Sequence, residues 1–167
     1  MILIGLGANL PSVAGTPEQT LRMSLVTLSG SGVNVKSVSR LYQTPAWPDP
    51  SDPPFVNAVA RVETARDPAA LMALLVSTED AFGRVRGRRN SPRTLDLDLL
   101  DYEGRVEPGP PVLPHPRLRS RGFVLVPLAD VAPAWRHPES GQRVDELIAA
   151  LPAGERAAVT PLGPFWP

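Results

Sequence analysis

The chain contains no cysteine, and histidine occurs only as His115 and His137. Without cysteine, disulfides, thiolate chemistry and cysteine-ligated zinc are excluded. Two histidines are also too few for a histidine-rich metal site. Lysine is represented by Lys36 alone, so nearly all of the positive charge is carried by arginine.

Long apolar runs and net charge are missing as well. No apolar segment approaches the roughly 18 residues that cross a bilayer, and the apolar start after Met1 lacks the basic region of a signal peptide. The formal net charge is zero, so no overall field attracts nucleic acid or a membrane. With 167 residues, 43% of them hydrophobic, the chain can bury one ordinary core. We expect a cytoplasmic, single-domain protein over residues 1–167, without nucleic-acid or membrane partners.

Charge is concentrated in two adjoining segments. Residues 84–93 hold five arginines and no acid. Residues 93–100 alternate as a strand does, which puts Asp96 and Asp98 on one face and leucines on the other. Two carboxylates roughly 6.6 Å apart repel by roughly 2.5 kcal/mol at an effective dielectric of about 20, and Mg²⁺ would remove that repulsion. Alone, such a pair of acids usually lies on the solvent-exposed face of a half-buried sheet. Beside an arginine-rich loop, the two carboxylates suit the binding of a Mg²⁺-bound polyphosphate.

The hydrophobic pattern predicts the order of the main elements. Strands are predicted over residues 1–6, 33–42, 55–63 and 93–100, and helices over residues 17–29, 68–82, 123–131 and 144–151. Thr16, Pro17 and Gln19 form a capping-box pattern at the first helix. The order βαββαβ predicts an α+β, ferredoxin-like core, with an antiparallel sheet carrying helices on one face and a C-terminal extension.

Residues 44–54 contain five prolines and form a loop of unusual length. Long loops without regular structure often bind ligands, and Trp47 at the tip has no obvious core to enter. By themselves, Phe55 and Asn57 would be a core aromatic and an exposed amide, and His115 between two prolines would be a turn residue.

Several motifs occur together in one order over residues 2–135. They are Gly7-Ala8-Asn9-Leu10, Thr44-Pro45, Phe55-Val56-Asn57-Ala58, Gly83-Arg84-Val85-Arg86, Pro92-Arg93-Thr94-Leu95-Asp96-Leu97-Asp98, Pro114-His115-Pro116-Arg117 and Arg121-Gly122-Phe123. In this combination the chain resembles the 6-hydroxymethyl-7,8-dihydropterin pyrophosphokinase family of folate biosynthesis. The resemblance implies that the β,γ-diphosphate of ATP moves to the hydroxymethyl group of the dihydropterin and that AMP leaves.

The resemblance also implies site residues. Two Mg²⁺ ions would be held by Asp96 and Asp98. The phosphates of ATP would be contacted by Arg84, Arg86, Arg93, His115 and Arg121. The catalytic set would be Arg84, Arg93, Asp96 and Asp98. The pterin would lie between Phe55 and Phe123, in a pocket that also contains Thr44, Pro45 and Asn57. ATP and the dihydropterin are the expected partners, and a monomer is expected.

Three positions depart from the pattern of the family. Ala8 replaces a serine of many members, and Val76 replaces a polar residue that faces the nucleotide in some. Asn90 lies where some members carry a tryptophan that covers the closed site. Our hypothesis is that Trp47 supplies part of this lid and belongs to the pterin-binding set.

Two other functions share parts of this pattern. A ferredoxin-like RNA-binding module would stack bases on aromatics of its sheet, but here the sheet face carries acids and only 5% of residues are aromatic. A palm-type nucleotidyl transferase also sets paired aspartates on such a sheet, but it needs a template-binding domain for which 167 residues leave no room.

Overall fold

A computed structural model describes residues 1–85 and 91–166, and an antiparallel sheet of six strands forms the centre of this part of the chain. The strands are β1 (Ile2–Ala8), β2 (Asn34–Val38), β3 (Leu41–Thr44), β4 (Phe55–Glu63), β5 (Asp96–Tyr102) and β6 (Thr160–Gly163). The helices are α1 (Pro17–Gly30), α2 (Pro68–Ala81), α3 (Gly122–Val131), α4 (Val144–Ala150) and α5 (Ala153–Ala157), with a short 3-10 helix at Leu118–Ser120. The sheet order is β5-β1-β4-β3-β6, and β2 pairs with β4 beyond the end of β3.

The βαββαβ arrangement predicted from the sequence is confirmed. β1 lies between β5 and β4, and all strand pairs are antiparallel. The first helix begins after Thr16, whose side chain accepts the Gln19 N–H while Gln19 Oε1 accepts the Thr16 N–H, as the capping-box pattern predicts. The second helix begins after Asp67, which caps the N–H of Ala70. Both helices therefore start where local side-chain chemistry supplies their first hydrogen bonds.

Each face of the sheet carries its own helices. One core cluster joins Ile4, Leu6, Val62 and Leu97 to the buried side of α1 and α2. A second cluster places Leu3, Val59 and Leu100, on the other face, beneath α3 and α4. The prediction that helices lie on one face holds for the βαββαβ core alone, since the C-terminal extension covers part of the opposite face.

The strand predicted over residues 33–42 is interrupted at Ser39 and Arg40. The Ser39 side chain accepts the N–H of Val59 at 3.0 Å, in place of a ladder carbonyl. The backbone N–H of Arg40 turns away to the Asp130 carboxylate on α3, at 3.1 Å. β2 and β3 therefore end and begin at this point, and both still pair with β4.

The C-terminal helices match the predicted segments to within a residue, but two further elements follow them. α5 and β6 lie beyond the predicted helix over residues 144–151, and β6 pairs with β3, with Thr160 opposite Gln43. Of the helices in the described ranges, none combines the length and apolar character needed to cross a bilayer.

Candidate active site

A cavity of about 370 Å³ lies on the sheet face that α3 covers only in part. Its floor is formed by β1, where Gly5 and Gly7 alternate with the buried residues of the opposite face. A Cβ on Gly7 would lie 3.3 Å from Asn57 Oδ1 and 3.8 Å from Asp96 Cβ. Glycine at this position therefore leaves open the space between the functional side chains of β4 and β5.

The two predicted metal ligands lie side by side at this floor. Asp96 and Asp98 stand opposite Gly7 and Gly5 respectively, and both line the cavity. Leu97 between them points into the opposite core. The strand alternation that the sequence predicts is thus confirmed for this pair.

Arginines surround Asp96. Arg93 Nη1 donates to Asp96 Oδ2 at 2.9 Å, and Arg84 donates to Asp96 Oδ1. Burial disfavours the Arg84 cation, but the hydrogen bond and charge of Asp96, with the charge of Glu79, raise its pKa. All of these side chains are more than two-thirds buried, so their interactions are weakly screened by solvent.

Asp98 has a different environment. Burial, followed by the negative charge of Asp96, raises the pKa of Asp98 above its usual range. Arg121 Nη1 at 3.6 Å and His115 Nε2 at 3.9 Å from Asp98 Oδ2 oppose this shift only in part. Burial and the nearby charges of Arg121 and Arg117 lower the pKa of His115, against the opposing effect of Asp98. At neutral pH the imidazole is therefore neutral, and Asp98 has less compensation than Asp96.

The other end of the cavity has aromatic and amide walls. Phe55 and Phe123 both line it, and each is covered by an arginine: the guanidinium carbon of Arg93 lies 5.9 Å from the Phe55 ring centre and that of Arg121 lies 5.3 Å from the Phe123 ring centre. Buried Asn57 donates to the Thr44 hydroxyl at 2.9 Å. A flat heterocycle would find ring faces and a fixed amide at this end.

All of the predicted site residues within the described ranges meet at this cavity or at its acid pair. Of the predicted residues, those that line the cavity are Thr44, Pro45, Trp47, Phe55, Asn57, Arg93, Asp96, Asp98, Arg121 and Phe123. Arg84 reaches it through Asp96, and His115 through Asp98. The predictions for Arg86 and Asn90 lie outside the described residues. Trp47 is 72% exposed at the rim.

The substituted positions Ala8 and Val76 do not line the cavity. Ala8 is fully buried in the core between the sheet, α1 and α2. Val76 is half-buried on α2. The expectation that Val76 makes no polar side-chain contact with the nucleotide stays a prediction.

The sequence did not identify Asn9 as a residue that links two loop segments through hydrogen bonds. Its amide donates to the Pro53 carbonyl at 3.0 Å and accepts the Arg93 N–H at 2.7 Å, while its own N–H donates to the Arg93 carbonyl at 3.0 Å. Asn9 is 3% exposed. It therefore ties the proline-rich loop to the segment that carries Arg93. The motif around Asn9 was visible in the sequence, but these distant partners were not.

Glu79 is a second residue that the sequence did not identify. Its Oε1 accepts from Arg84 Nη1 at 2.8 Å and from the Leu97 N–H at 2.8 Å. Glu79 is 4% exposed on α2, facing the strand. It positions Arg84 against Asp96. Arg117, Ser120 and the C-terminal residues Glu155, Ala158 and Val159 also line the cavity without having been predicted.

The acid pair fits magnesium better than a metal held by protein alone. No group of three or more histidine, aspartate or glutamate side chains suited to a metal occurs in residues 1–85 or 91–166. Mg²⁺ is commonly held by one or two carboxylates, with substrate phosphates and water completing its six ligands. Asp96 and Asp98 supply that donor set on one face.

Paired acids under arginines, beside an aromatic slot and on an antiparallel sheet, define a phosphate-transferring enzyme that acts on a flat acceptor. The sequence profile of 7,8-dihydro-6-hydroxymethylpterin-pyrophosphokinase (HPPK) matches residues 3–133. The chain belongs to this family.

Two curated relatives extend the similarity over most of the chain. A 2-amino-4-hydroxy-6-hydroxymethyldihydropteridine pyrophosphokinase of Synechocystis sp. is 35% identical over 164 residues, which is 97% of this chain and 80% of that protein. The protein of the same name from Methylorubrum extorquens is 39% identical over 153 residues, 90% of this chain and 94% of that protein.

A solved structure supports the fold. The crystal structure of wild-type HPPK-DHPS from Plasmodium falciparum superimposes with a TM-score of 0.65 and 13% sequence identity. The match covers 87% of this chain and 43% of that chain. At this identity the likeness concerns the fold alone, and it agrees with the α+β, ferredoxin-like class expected from the sequence.

Proposed function

We propose that this chain transfers the pyrophosphoryl group of ATP to 6-hydroxymethyl-7,8-dihydropterin in folate biosynthesis, with residues 1–167 acting as one catalytic unit. The hydroxymethyl oxygen forms a bond to the β-phosphorus, and the bond from that phosphorus to the oxygen bridging to the α-phosphate breaks. The bridging oxygen leaves on AMP, and the hydroxyl proton is released. The observation that carries the proposal is the placement of Asp96 and Asp98 on one cavity floor, between arginines and the Phe55–Phe123 slot.

The polar end of the cavity suits the triphosphate. Phosphoryl transfer requires charge neutralisation and alignment more than a strong base. Arg84, Arg93 and Arg121 present guanidinium groups that bond phosphate oxygens in pairs. Neutral His115 can donate one hydrogen bond without adding charge.

Magnesium dependence is part of the proposal. Asp96 and Asp98 would hold two ions, which supply charge neutralisation at the phosphates when bound. In the structure Asp96 is paired with Arg84 and Arg93. These arginines can transfer their hydrogen bonds to phosphate oxygens when ATP and metal enter.

The aromatic end suits the pterin. Phe55 and Phe123 would contact the two faces of the bicyclic ring, and Asn57 would bond its edge. The Thr44 hydroxyl already holds the Asn57 amide in place. The hydroxymethyl group would then point toward the acid pair.

Trp47 is proposed as part of a lid over this end. It lies at the rim of the cavity and is mostly exposed, so closure of the proline-rich loop would bury it. Replacement by alanine should raise the KM for the pterin and lower turnover, and Trp47 fluorescence should change when the pterin binds. Of the three tryptophans, Trp166 is also exposed and Trp135 is buried, so a Trp166→Phe background leaves Trp47 as the exposed one, and the fluorescence change should be lost when Trp47→Ala is added to that background. Unchanged pterin affinity and turnover in Trp47→Ala would refute the lid.

We also propose a cytoplasmic location, where ATP is abundant, and a monomer, with no nucleic-acid or membrane partner. Light scattering after gel filtration should give a mass near that of one chain, 17.9 kDa. Cell fractionation should recover the activity without membranes.

The deciding experiment is incubation with ATP, Mg²⁺ and 6-hydroxymethyl-7,8-dihydropterin, followed by nucleotide separation. AMP and the pterin diphosphate should form together in equal amounts. Asp98→Asn should abolish the reaction, whereas Asp145→Asn, an exposed aspartate on α4, should not. Release of ADP would indicate a simple kinase and contradict the proposal.

A further inference from the structure

The C-terminal segment contributes a wall of the cavity, although it lies beyond the family match over residues 3–133. Glu155, Ala158 and Val159 line the cavity together with Thr44 and Phe123. No role for these three residues follows from the activity proposed above, so their position needs its own account.

β6 brings this segment to the aromatic end of the cavity. Thr160 lies opposite Gln43 in the antiparallel pair of β6 and β3. The next residues outward along the two strands are Val159 and Thr44. Val159 therefore lies beside the start of the proline-rich loop, at the end proposed for the pterin.

Close packing brings the same segment to the start of α3. A Cβ added to Gly122 would lie 2.8 Å from the Glu155 carbonyl oxygen and 3.3 Å from Val159 Cγ2. Only a residue without a side chain allows this approach, and Phe123 follows directly. Val159 thus lies close to the backbone position that precedes Phe123, one of the two slot aromatics.

We propose that Val159, held by α5 and β6, is a specificity-determining residue that closes the pterin end of the cavity with an apolar wall. The inference rests on the proposed function, because it assigns this end to the acceptor. Val159 is half-buried, lines the cavity together with Thr44 and lies close to Gly122. An apolar side chain there packs against the edge of the acceptor ring and excludes water from it, without contacting the phosphates.

The test compares Val159→Ala with Val26→Ala, the same change at an exposed position of α1. Calorimetry would measure the Kd for 6-hydroxymethyl-7,8-dihydropterin and, separately, the Kd for a non-hydrolysable ATP analogue with Mg²⁺. Loss of methyl groups from a pocket wall should raise the pterin Kd in Val159→Ala by about tenfold. The Kd for the ATP analogue should not change, and Val26→Ala should match the wild type in both.

A second variant is needed because Val159→Ala could disrupt β6 and weaken pterin binding indirectly. Val159→Thr keeps the branched shape and strand preference but places a hydroxyl against the ring, so it too should weaken pterin binding selectively. Thermal denaturation reports the fold of each variant. If a folded variant binds pterin as the wild type does, or if both ligands weaken equally, the inference is overturned. Failure of the wild type to form AMP would instead refute the proposed function, so the two failures are distinguishable.

Discussion

Asp96→Asn and Asp98→Asn should have opposite effects on the stability of the metal-free protein, although both should abolish pyrophosphoryl transfer. The sequence alone makes the two aspartates equivalent, since each repels the other. The structure separates them by their partners. Asp96 is held by Arg84 and Arg93, whereas Asp98 has Arg121 at a longer distance and a neutral His115.

The expected change in the free energy of unfolding for Asp98→Asn follows from these contacts. At an effective dielectric of about 20, Arg121 at 3.6 Å stabilises the Asp98 charge by about 4–5 kcal/mol. Asp96, roughly 6.6 Å away, opposes this by about 2.5 kcal/mol. The remaining gain of about 2 kcal/mol is smaller than the several kcal/mol that burying one ion costs. Asn at position 98 should therefore stabilise the metal-free protein by about 1 kcal/mol.

Asp96→Asn should instead destabilise the protein. The variant keeps one acceptor oxygen but loses a charged partner for Arg84 or Arg93, and a hydrogen bond to a charged group contributes about 1.5–3 kcal/mol. We expect a loss of about 2 kcal/mol in the free energy of unfolding, measured by urea denaturation at neutral pH without metal.

The pH dependence of stability tests the predicted direction of the Asp98→Asn effect. Since the pKa of Asp98 is raised in the folded protein, its ionised form is disfavoured there. The resulting loss of stability is present above the folded pKa and disappears as the pH falls through it toward the ordinary value of 3.8. Asp98→Asn and the wild type should therefore converge in acid. A clear loss of stability in Asp98→Asn at neutral pH, with Asp96→Asn unchanged, would refute the reasoning.

Three further predictions test the frame of the site. Gly7→Ala should lower kcat/KM by about 10- to 100-fold with little change in melting temperature, because the new Cβ crowds Asn57 and displaces side chains that must be aligned for the reaction. Wild-type kinetics in this variant would show that the cavity accommodates the methyl group. Asn9→Ala should lower the free energy of unfolding by about 2 kcal/mol, because the partly buried Arg93 N–H loses its acceptor; an unchanged urea midpoint would argue against a stabilising role for the Asn9 hydrogen bonds. Asp130→Asn should destabilise the protein by about 1–2 kcal/mol at neutral pH, because Asp130 accepts from Arg40 and Tyr42. Burial alone would raise the pKa of Asp130, but those hydrogen bonds lower it, so the difference from the wild type should vanish as the pH falls through that lowered pKa; a difference that persists in strong acid would contradict this cause.

Features with local causes were predictable from the sequence. The cap at Thr16 and the alternation of β5 depend on residues a few positions apart, so their patterns identify a helix start and a functional strand face. The positions of Asp96 and Asp98 on one strand face followed from strand geometry alone, whereas Phe55 was assigned to the same site through the family resemblance. Their roles in binding stay predictions.

Features with distant partners were not predictable. The break between β2 and β3 depends on Asp130, far along the chain, which captures the N–H of Arg40. Glu79 has the sequence context of a surface helix acid, and only tertiary packing brings it to Arg84. β6 is short and contains Pro161, so its sequence gave no alternation from which to infer a strand.

Arg93 and Arg121 have a thermodynamic consequence beyond charge neutralisation. Each guanidinium lies close to both a carboxylate and an aromatic ring. If a bound nucleotide draws these guanidinium groups toward its phosphates, their contacts with the aromatic rings that bind the acceptor change. A bound acceptor would in turn change the position of the guanidinium groups that bind the nucleotide. Linkage requires any such effect to be reciprocal, with the two ligands altering each other's affinity by the same factor, so binding at the two ends of the cavity would then be thermodynamically coupled.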